Sequence, residues 1–286
     1  MIKPKMMNEY PGIIARLPHF NFPLQVVTFF FLTLFFMSSC AQKKVKVFCI
    51  GDSTMSHYDL KKMEESYGGS DFPRRGWAMA LSAYLNDNAE VRNMAVSGRS
   101  SKNFRAQGYW DKVLEEIQEG DFVVIQFGHN DEKVEDTTRY TEAFGEFKDN
   151  LIRYAKEAEE YGAFPVIATS IARRKFNAED HLVDTHGDYV LASREAAKEA
   201  GVPLIDLNQM TTDYLNQLGP EESKEWFLHI KPGVFEKLPE GMEDNTHLSK
   251  QGACAVSGLF AEGLEQSKSS LKNYLLDERP DCNNIL

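Results

Sequence analysis

Apolar residues recur along the chain in two alternating patterns. Short, continuous apolar runs that end in a polar or glycine-containing turn are typical of strands buried on both faces. We predict such strands at residues 45–50, 91–96, 122–127, 165–169 and 202–207. Apolar residues at helical spacing lie between them, at 72–86, 111–118, 141–161 and 188–200, and a last helix begins after Ser249, which is a good N-cap.

Five strands that alternate with helices predict one α/β domain. The expected architecture is a three-layer α/β/α sandwich, in which a five-stranded, mostly parallel sheet carries helices on both faces. Residues 221–245 break the rhythm, because their aromatic residues follow no clear period. A long segment of this kind is usually functional when its aromatics argue against disorder. We expect it to form a wall of a cleft, with Trp226 as a candidate ligand contact.

The N-terminus predicts export rather than a part of the fold. Residues 22–37 are strongly apolar but short for a membrane-spanning helix, and they lead into Ser38, Ser39 and Cys40. This pattern indicates a bacterial lipoprotein signal at residues 1–40, cleaved before Cys40 with lipid on its thiol. An ordinary signal peptide or an uncleaved anchor is the alternative. Residues 41–286 are expected to form a single domain in the periplasm or cell envelope.

The charge of the chain excludes one class of partner. The formal net charge is −11, and residues 1–40 carry +2, which leaves −13 for the remainder. Such an acidic domain is unsuited to nucleic acid, which favours clustered basic charge. Membrane contact is expected only through the N-terminal lipid, and the domain is expected to be a monomer.

The cysteines and two histidines are expected to be structural. Cys49 and Cys254 fall in a predicted strand and helix, so we expect buried small side chains rather than a bridge. No cysteine has the spacing of metal ligands. His181 and His186 lie among aspartates, where a solvated acidic loop is a better interpretation than a metal site. We therefore expect neither a metal nor another cofactor.

Two separated motifs together predict nucleophilic catalysis. Ser53 follows the first predicted strand in the sequence GDSTM, where a turn would expose it at the sheet edge. Serine needs a base, and the base needs a group that holds its tautomer. Asp244 and His247 supply both within four residues, on what we expect to be one short loop.

Two further turns supply candidate donors for an oxyanion. Gly98 follows the second predicted strand and Asn130 follows the third. Because ligands bind outside the carboxyl ends of parallel strands, these turns are expected to meet Ser53 at one edge. The backbone N–H groups of Ser53 and Gly98 and the Asn130 amide would then form an oxyanion hole.

In this order, Ser53, Gly98, Asn130 and His247 resemble the four motif blocks of the SGNH (GDSL-type) hydrolases. The flanking residues GDSTM, GRSS followed by Phe104, FGHND and DNTHLSKQGA look like the rhamnogalacturonan acetylesterase branch, carbohydrate esterase family 12. The resemblance covers residues 45–264. It implies a flavodoxin-like sheet and a Ser53–His247–Asp244 esterase that removes acetyl groups from plant cell-wall polysaccharide or its oligosaccharides.

Pectic rhamnogalacturonan is the first expectation for the substrate. Arg99 and Lys102 directly follow Gly98, so they are candidate contacts for its carboxylates in an otherwise acidic chain. Two alternative functions remain open for this sequence. A lipid esterase or lysophospholipase would need a long apolar channel, and a non-catalytic glycan-binding lipoprotein would not require an Asp-x-x-His motif.

Overall fold

A five-stranded parallel sheet forms the centre of the computed structural model, which describes residues 43–282 and 285. Its strands are β1 (Val45–Gly51), β2 (Ala89–Asn93), β3 (Phe122–Gln126), β4 (Phe164–Ala168) and β5 (Leu204–Ile205). They lie in the order β2-β1-β3-β4-β5, and every neighbouring pair is parallel. This is the flavodoxin-like order, so the predicted fold class is confirmed.

Seven α-helices accompany the strands in the described part of the chain. They are α1 (Leu60–Tyr67), α2 (Ser101–Ala106), α3 (Tyr109–Glu116), α4 (Lys148–Glu160), α5 (Asp188–Ala200), α6 (Leu207–Glu222) and α7 (Lys250–Gln266). Helices α3, α4, α5 and α7 match predicted segments, although a π-helical turn, Ala143–Phe147, precedes α4. Helices α1, α2 and α6 were not predicted. None of the described helices combines the length and the hydropathy needed to cross a bilayer.

Alternate strand residues pack into two separate cores, one on each face of the sheet. Val47 and Cys49 of β1 join a core that includes Val256 and Phe260 of α7. Their neighbour Phe48 points to the other core, with Trp110 and Tyr154 among its members. Both faces are therefore covered, which explains why the strands read as continuous apolar runs.

The predicted helix at 72–86 is wrong. Only two short 3₁₀ helices form there, Trp77–Met79 and Leu81–Tyr84, and Gly76 before the first of them is extended. A Cβ on Gly76 would lie 2.1 Å from the carbonyl oxygen of Ser56, so this stretch passes too close to the Ser53 turn for a helix. The tertiary contact overrides the local apolar spacing.

The aperiodic segment contains a second, two-stranded antiparallel sheet. Strand β6 (Phe227–Ile230) pairs with β7 (Met242–Leu248), and β7 carries both Asp244 and His247. The expectation of one short loop is therefore corrected, because the two residues lie on an irregular strand.

The cysteine prediction also needs correction. Cys254 on α7 forms a disulfide with Cys282, with 5.6 Å between their Cα atoms, whereas Cys49 is a free, buried thiol as expected. The bridge is between residues 28 positions apart, and sequence spacing alone does not reveal such a pairing. Cys40 and the predicted signal at 1–40 lie outside the described residues.

Candidate active site

Ser53 lies in the turn that directly follows β1. Asp52 stabilises this turn from within, because its Oδ1 accepts hydrogen bonds from the backbone N–H and the hydroxyl of Thr54, each at 2.9 Å. The hydroxyl of Tyr58 donates to the carbonyl oxygen of Ser53 at 2.7 Å. Both faces of the turn are therefore fixed, and 7% of Ser53 remains exposed at the carboxyl edge of the sheet.

A bulge in β7 brings Asp244 and His247 together. Leu228 pairs with Asp244 while the adjacent Phe227 pairs with Leu248, so residues 245–247 have no partners across the ladder. Asp244 Oδ1 accepts hydrogen bonds from the backbone N–H groups of Thr246 at 2.8 Å and His247 at 3.0 Å. These two hydrogen bonds fold residues 244–247 into a tight turn, which brings the His247 imidazole next to the Asp244 carboxylate.

Ser53, His247 and Asp244 form a continuous hydrogen-bonded chain. His247 Nδ1 lies 2.6 Å from Asp244 Oδ2, and His247 Nε2 lies 3.0 Å from Ser53 Oγ. With the proton on Nδ1, the imidazole donates to Asp244 and accepts the proton of the Ser53 hydroxyl. Burial raises the pKa of Asp244, but the hydrogen bonds and charge of His247 outweigh burial and hold that pKa well below its usual range. The carboxylate of Asp244 is therefore ionised in the folded protein.

The residues predicted for the oxyanion hole converge on the same edge. The carbonyl oxygen of Gly51 accepts from the N–H of Val96 at 3.0 Å, which holds the turn of Gly98 beside that of Ser53. Asn130 Nδ2 donates to the carbonyl oxygen of Arg99 at 3.0 Å, which attaches the third turn to the second. Gly98 has φ 77°, a backbone conformation that favours glycine, and the space beside its Cα is open.

Sequence reasoning missed the segment that joins the two halves of the site. The backbone N–H of Trp77 donates to the carbonyl oxygen of Thr54 at 2.9 Å, and the backbone N–H of Arg75 donates to the carbonyl oxygen of Leu248 at 3.0 Å. One short stretch therefore connects the Ser53 turn to the end of the His247 strand. The available signal was Gly76 after Pro73, which favours an extended close approach over a helix.

A row of titratable and charged side chains, buried or half-buried, lies behind the Ser53 and Asn130 turns. His129 Nδ1 lies 3.5 Å from Asp52 Oδ2, and the His129 ring contacts that of His186 with 4.5 Å between centroids. His186 Nδ1 contacts Glu132 at 2.9 Å, and Glu132 pairs in turn with Arg173. His186 is buried, so the expected solvated loop is wrong at this residue, while His181 is exposed. Within the described residues, no group of side chains has the arrangement of a metal site.

Burial shifts the protonation of two neighbouring groups in opposite directions. Burial lowers the pKa of His129 to about 4, although Asp52 partly opposes it, so this ring is neutral. Burial also raises the pKa of the fully buried Asp131 to about 7, against hydrogen bonds from Ser101 and Thr141. The turn that carries Asn130 is therefore held between a neutral imidazole and a carboxyl group that titrates near neutrality.

The three candidate substrate contacts are all engaged with the protein. The guanidinium of Arg99 donates hydrogen bonds to the carbonyl oxygen of Ser97, the side chain of Gln107 and the hydroxyl of Tyr109. Lys102 pairs with Glu146 at 3.4 Å. Trp226 stacks on Tyr214 and is only 4% exposed, so it belongs to the core and the expectation that it contacts a ligand is wrong.

Comparison with known proteins places the chain among ester hydrolases. The model of the GDSL-like lipase/acylhydrolase family matches residues 49–253. Rhamnogalacturonan acetylesterase RhgT of Bacillus subtilis is 38% identical over 235 residues, which are 82% of this chain and 96% of that protein. The probable rhamnogalacturonan acetylesterase YesY of the same organism is 31% identical and covers 82% of this chain and 98% of its own length.

Solved structures agree on the fold. The crystal structure of YxiM from Bacillus subtilis superposes with a TM-score of 0.65 at 25% identity, and the match covers 78% of this chain and 57% of that one. An acetylxylan esterase from Geobacillus stearothermophilus superposes with a TM-score of 0.52 at 14% identity, over 82% of this chain and 98% of its own. The second likeness shows a shared fold and nothing finer.

Proposed function

The chain belongs to the GDSL-like lipase/acylhydrolase family and is a carboxylic ester hydrolase, and from this premise we propose that it is a serine carbohydrate esterase that removes O-acetyl groups from plant cell-wall polysaccharide. The observation that carries the proposal is the chain of contacts from Ser53 through His247 to Asp244. Pectic rhamnogalacturonan is the proposed substrate, supported by relatives whose names state that activity.

The proposed mechanism has two acyl-transfer steps. Ser53 Oγ attacks the acetyl carbonyl while His247 Nε2 takes the hydroxyl proton, and the imidazolium is stabilised by Asp244. His247 then donates this proton to the leaving sugar oxygen, so the sugar departs as an alcohol and the acetyl group stays on Ser53 Oγ as an ester. Water then attacks the acetyl carbonyl of the acyl-enzyme while His247 takes its proton. His247 returns that proton to Ser53 Oγ, which releases acetic acid and restores Ser53.

The proposed site must stabilise the oxyanion that develops on the acetyl carbonyl oxygen during the attack. The Ser53 and Gly98 N–H groups donate to no acceptor within the described residues, and both remain to donate to an oxyanion. Asn130 Nδ2 uses one hydrogen to reach Arg99 and retains a second for the same role. Such pre-positioned donors act without reorganisation when charge develops.

Acetate release from a panel of acetylated polysaccharides tests the proposal. We expect release from acetylated rhamnogalacturonan, and Ser53→Ala and His247→Ala should each lower kcat by several orders of magnitude with circular dichroism unchanged. Near-normal activity of Ser53→Ala would overturn the mechanism. A preference for neutral acetylated xylan would overturn the pectic substrate and leave the esterase intact.

A lipid esterase is the second candidate, because the matched family also includes lipases. Short- and long-chain p-nitrophenyl esters separate the two. We expect turnover of the acetate ester and little of the long-chain ester, and the reverse preference would favour the lipid esterase. Absence of turnover on every ester would favour a glycan-binding lipoprotein.

We also propose that the mature protein is exported and carries lipid on Cys40. The proposal rests on the apolar stretch before Ser38, Ser39 and Cys40, and the Cys254–Cys282 disulfide suits an oxidising compartment. Mass spectrometry of the mature N-terminus should find a lipidated Cys40, and Cys40→Ser should remove the lipid. A lipid-free N-terminus at Ala41 or beyond would contradict it.

A further inference from the structure

A cavity of about 480 Å³ with an unusually basic lining opens beside the Asp244–His247 bulge. It is bordered by Arg173, Arg174, Lys175, Phe176, Thr185 and Asn245. Three cations and no carboxylate line it, in a chain whose net charge is −11. Its volume lies in the range of small-ligand sites, about 300–1,000 Å³.

The cavity shares its borders with both halves of the catalytic site. Arg173 Nη2 lies 3.5 Å from the carbonyl oxygen of His129, the residue before Asn130. Arg174 N–H donates to the carbonyl oxygen of Asn245, the residue after Asp244, at 2.9 Å. A ligand in the cavity would therefore lie next to the edge where the acetyl group reacts.

Arg174 is a buried cation held by neutral groups. Its guanidinium donates to the hydroxyl of Ser223 at 3.0 Å, to Asn245 Oδ1 at 2.9 Å and to the carbonyl oxygen of Pro220. In the described part of the chain no carboxylate forms an ion pair with it, although Glu221 and Glu243 attract it from a greater distance. A buried charge without a counter-ion is costly, and an anionic ligand would supply that counter-ion.

Two further groups suit an acidic sugar. Lys175 is exposed, and among the described residues it takes part in no ion pair. Asn245 Oδ1 accepts a hydrogen bond from Arg174 and lies 2.8 Å from His229 Nε2. The Nδ2 amide of Asn245 therefore points away from both of these partners. A cation and an amide donor beside an aromatic ring, Phe176, match the carboxylate, hydroxyls and apolar face of a uronate.

We propose that this cavity is a subsite for a uronate residue of the polymer, beside the edge of the sheet where the acetyl group reacts. The inference rests on the proposed function and makes its substrate class specific. It also assigns the recognition of charge to Arg174 and Lys175, neither of which forms an ion pair within the described residues, rather than to Lys102, which pairs with Glu146.

Binding of short sugar oligomers to the full chain with Ser53→Ala tests the subsite without turnover. By calorimetry, trigalacturonate should bind and neutral xylotriose should bind more weakly. Lys175→Glu should weaken trigalacturonate binding by about five-fold or more, Lys175→Ala should weaken it less, and Lys175→Arg should retain it. Added salt should weaken the binding of trigalacturonate selectively.

Lys268→Glu is the matched control. Lys268 is also exposed, but it borders a cavity with Gly201 and Pro203 at the opposite edge of the sheet, and its reversal changes the net charge equally. Equal affinities of Lys175→Glu and Lys268→Glu would overturn the subsite, as would equal binding of the two sugars. Lys175-dependent binding with no acetate release from any polysaccharide would instead overturn the proposed function and leave the subsite standing.

Discussion

Asn130 shows how one side chain can serve both structure and chemistry. Its amide attaches the third turn to the second through Arg99 and also supplies a candidate oxyanion donor. We predict that Asn130→Ala lowers kcat on p-nitrophenyl acetate by on the order of 10²–10³, the usual effect of losing one such donor.

Asn208→Ala is a suitable control for that prediction. Asn208 Nδ2 donates to the carbonyl oxygen of Ser170 at 3.1 Å, a comparable bond that lies outside the triad and the proposed oxyanion hole. Steady-state kinetics of both variants should show the large loss in kcat only for Asn130→Ala. Equal, small losses would mean that Asn130 only holds the turn.

The buried carboxyl group of Asp131 should make stability depend on pH. Its pKa is raised from 3.8 to about 7, so the folded protein favours the protonated form. The stabilisation from this group is complete below pH 3.8 and is lost as the pH rises toward 7. We predict that, as the pH rises over this range, the free energy of unfolding of Asp131→Asn increases relative to that of the parent by on the order of 1–3 kcal/mol. A pH-independent difference between the two proteins adds to this change.

Urea denaturation at several pH values between 4 and 7.5 measures this difference. His129 has the opposite effect, because its pKa is lowered from 6.5 to about 4 and its contribution is lost as the pH falls through that interval. The comparison must therefore be between Asp131→Asn and the parent, both of which keep His129. A constant difference between them across the range would contradict the prediction.

At the scale of elements, the extended stretch at Gly76 holds the two halves of the site in register. Gly76 has φ −88°, which any residue adopts, so replacement by alanine acts only through contact. The added Cβ would lie 2.1 Å from the carbonyl oxygen of Ser56 and 2.4 Å from the carbonyl carbon of Met55. We predict that Gly76→Ala lowers stability by about 1–3 kcal/mol and also lowers kcat, because it moves the Ser53 turn away from His247.

Gly258→Ala provides the comparison for this steric prediction. The nearest atom to its Cβ would be the hydroxyl of Tyr84, at 3.2 Å, followed by ring carbons of the same side chain, and alanine favours the helix in which Gly258 lies. Thermal unfolding and esterase kinetics should separate the two variants. Unchanged kinetics of Gly76→Ala would show that the Ser53 turn does not depend on this contact.

At the scale of the whole molecule, the disulfide attaches the C-terminal segment to α7. Tyr84 also reaches this attachment, because its hydroxyl donates to the carbonyl oxygen of Cys254 at 3.0 Å. We predict that Cys282→Ser lowers the free energy of unfolding by roughly 2–4 kcal/mol under oxidising conditions, since the bridge restricts the unfolded chain. A reductant should bring the parent to the level of the variant, and equal stabilities in oxidising buffer would contradict the prediction.

Several features could be predicted from the sequence because their causes are local. Continuous apolar runs indicated strands buried on both faces, and all five strands of the parallel sheet were located within a few residues. Helix α5 was predicted with the bounds it has, since Gly201 ends it in a left-handed conformation. The edge at which Ser53, Gly98 and Asn130 meet also followed, because parallel strands carry their following turns to one side.

Other features depended on contacts between distant residues. The helix expected at 72–86 is absent because Gly76 passes against Ser56, and the Cys254–Cys282 pair forms because the fold brings residues 28 apart within reach. Asp244 and His247 were identified from their spacing, but the bulge that aims the imidazole at Ser53 exists only where β7 pairs with β6. The basic cavity has the same origin, because Asn245 joins Arg173–Lys175 only through tertiary packing. Local pattern thus determined most of the elements and the candidate site residues, while long-range packing decided their geometry.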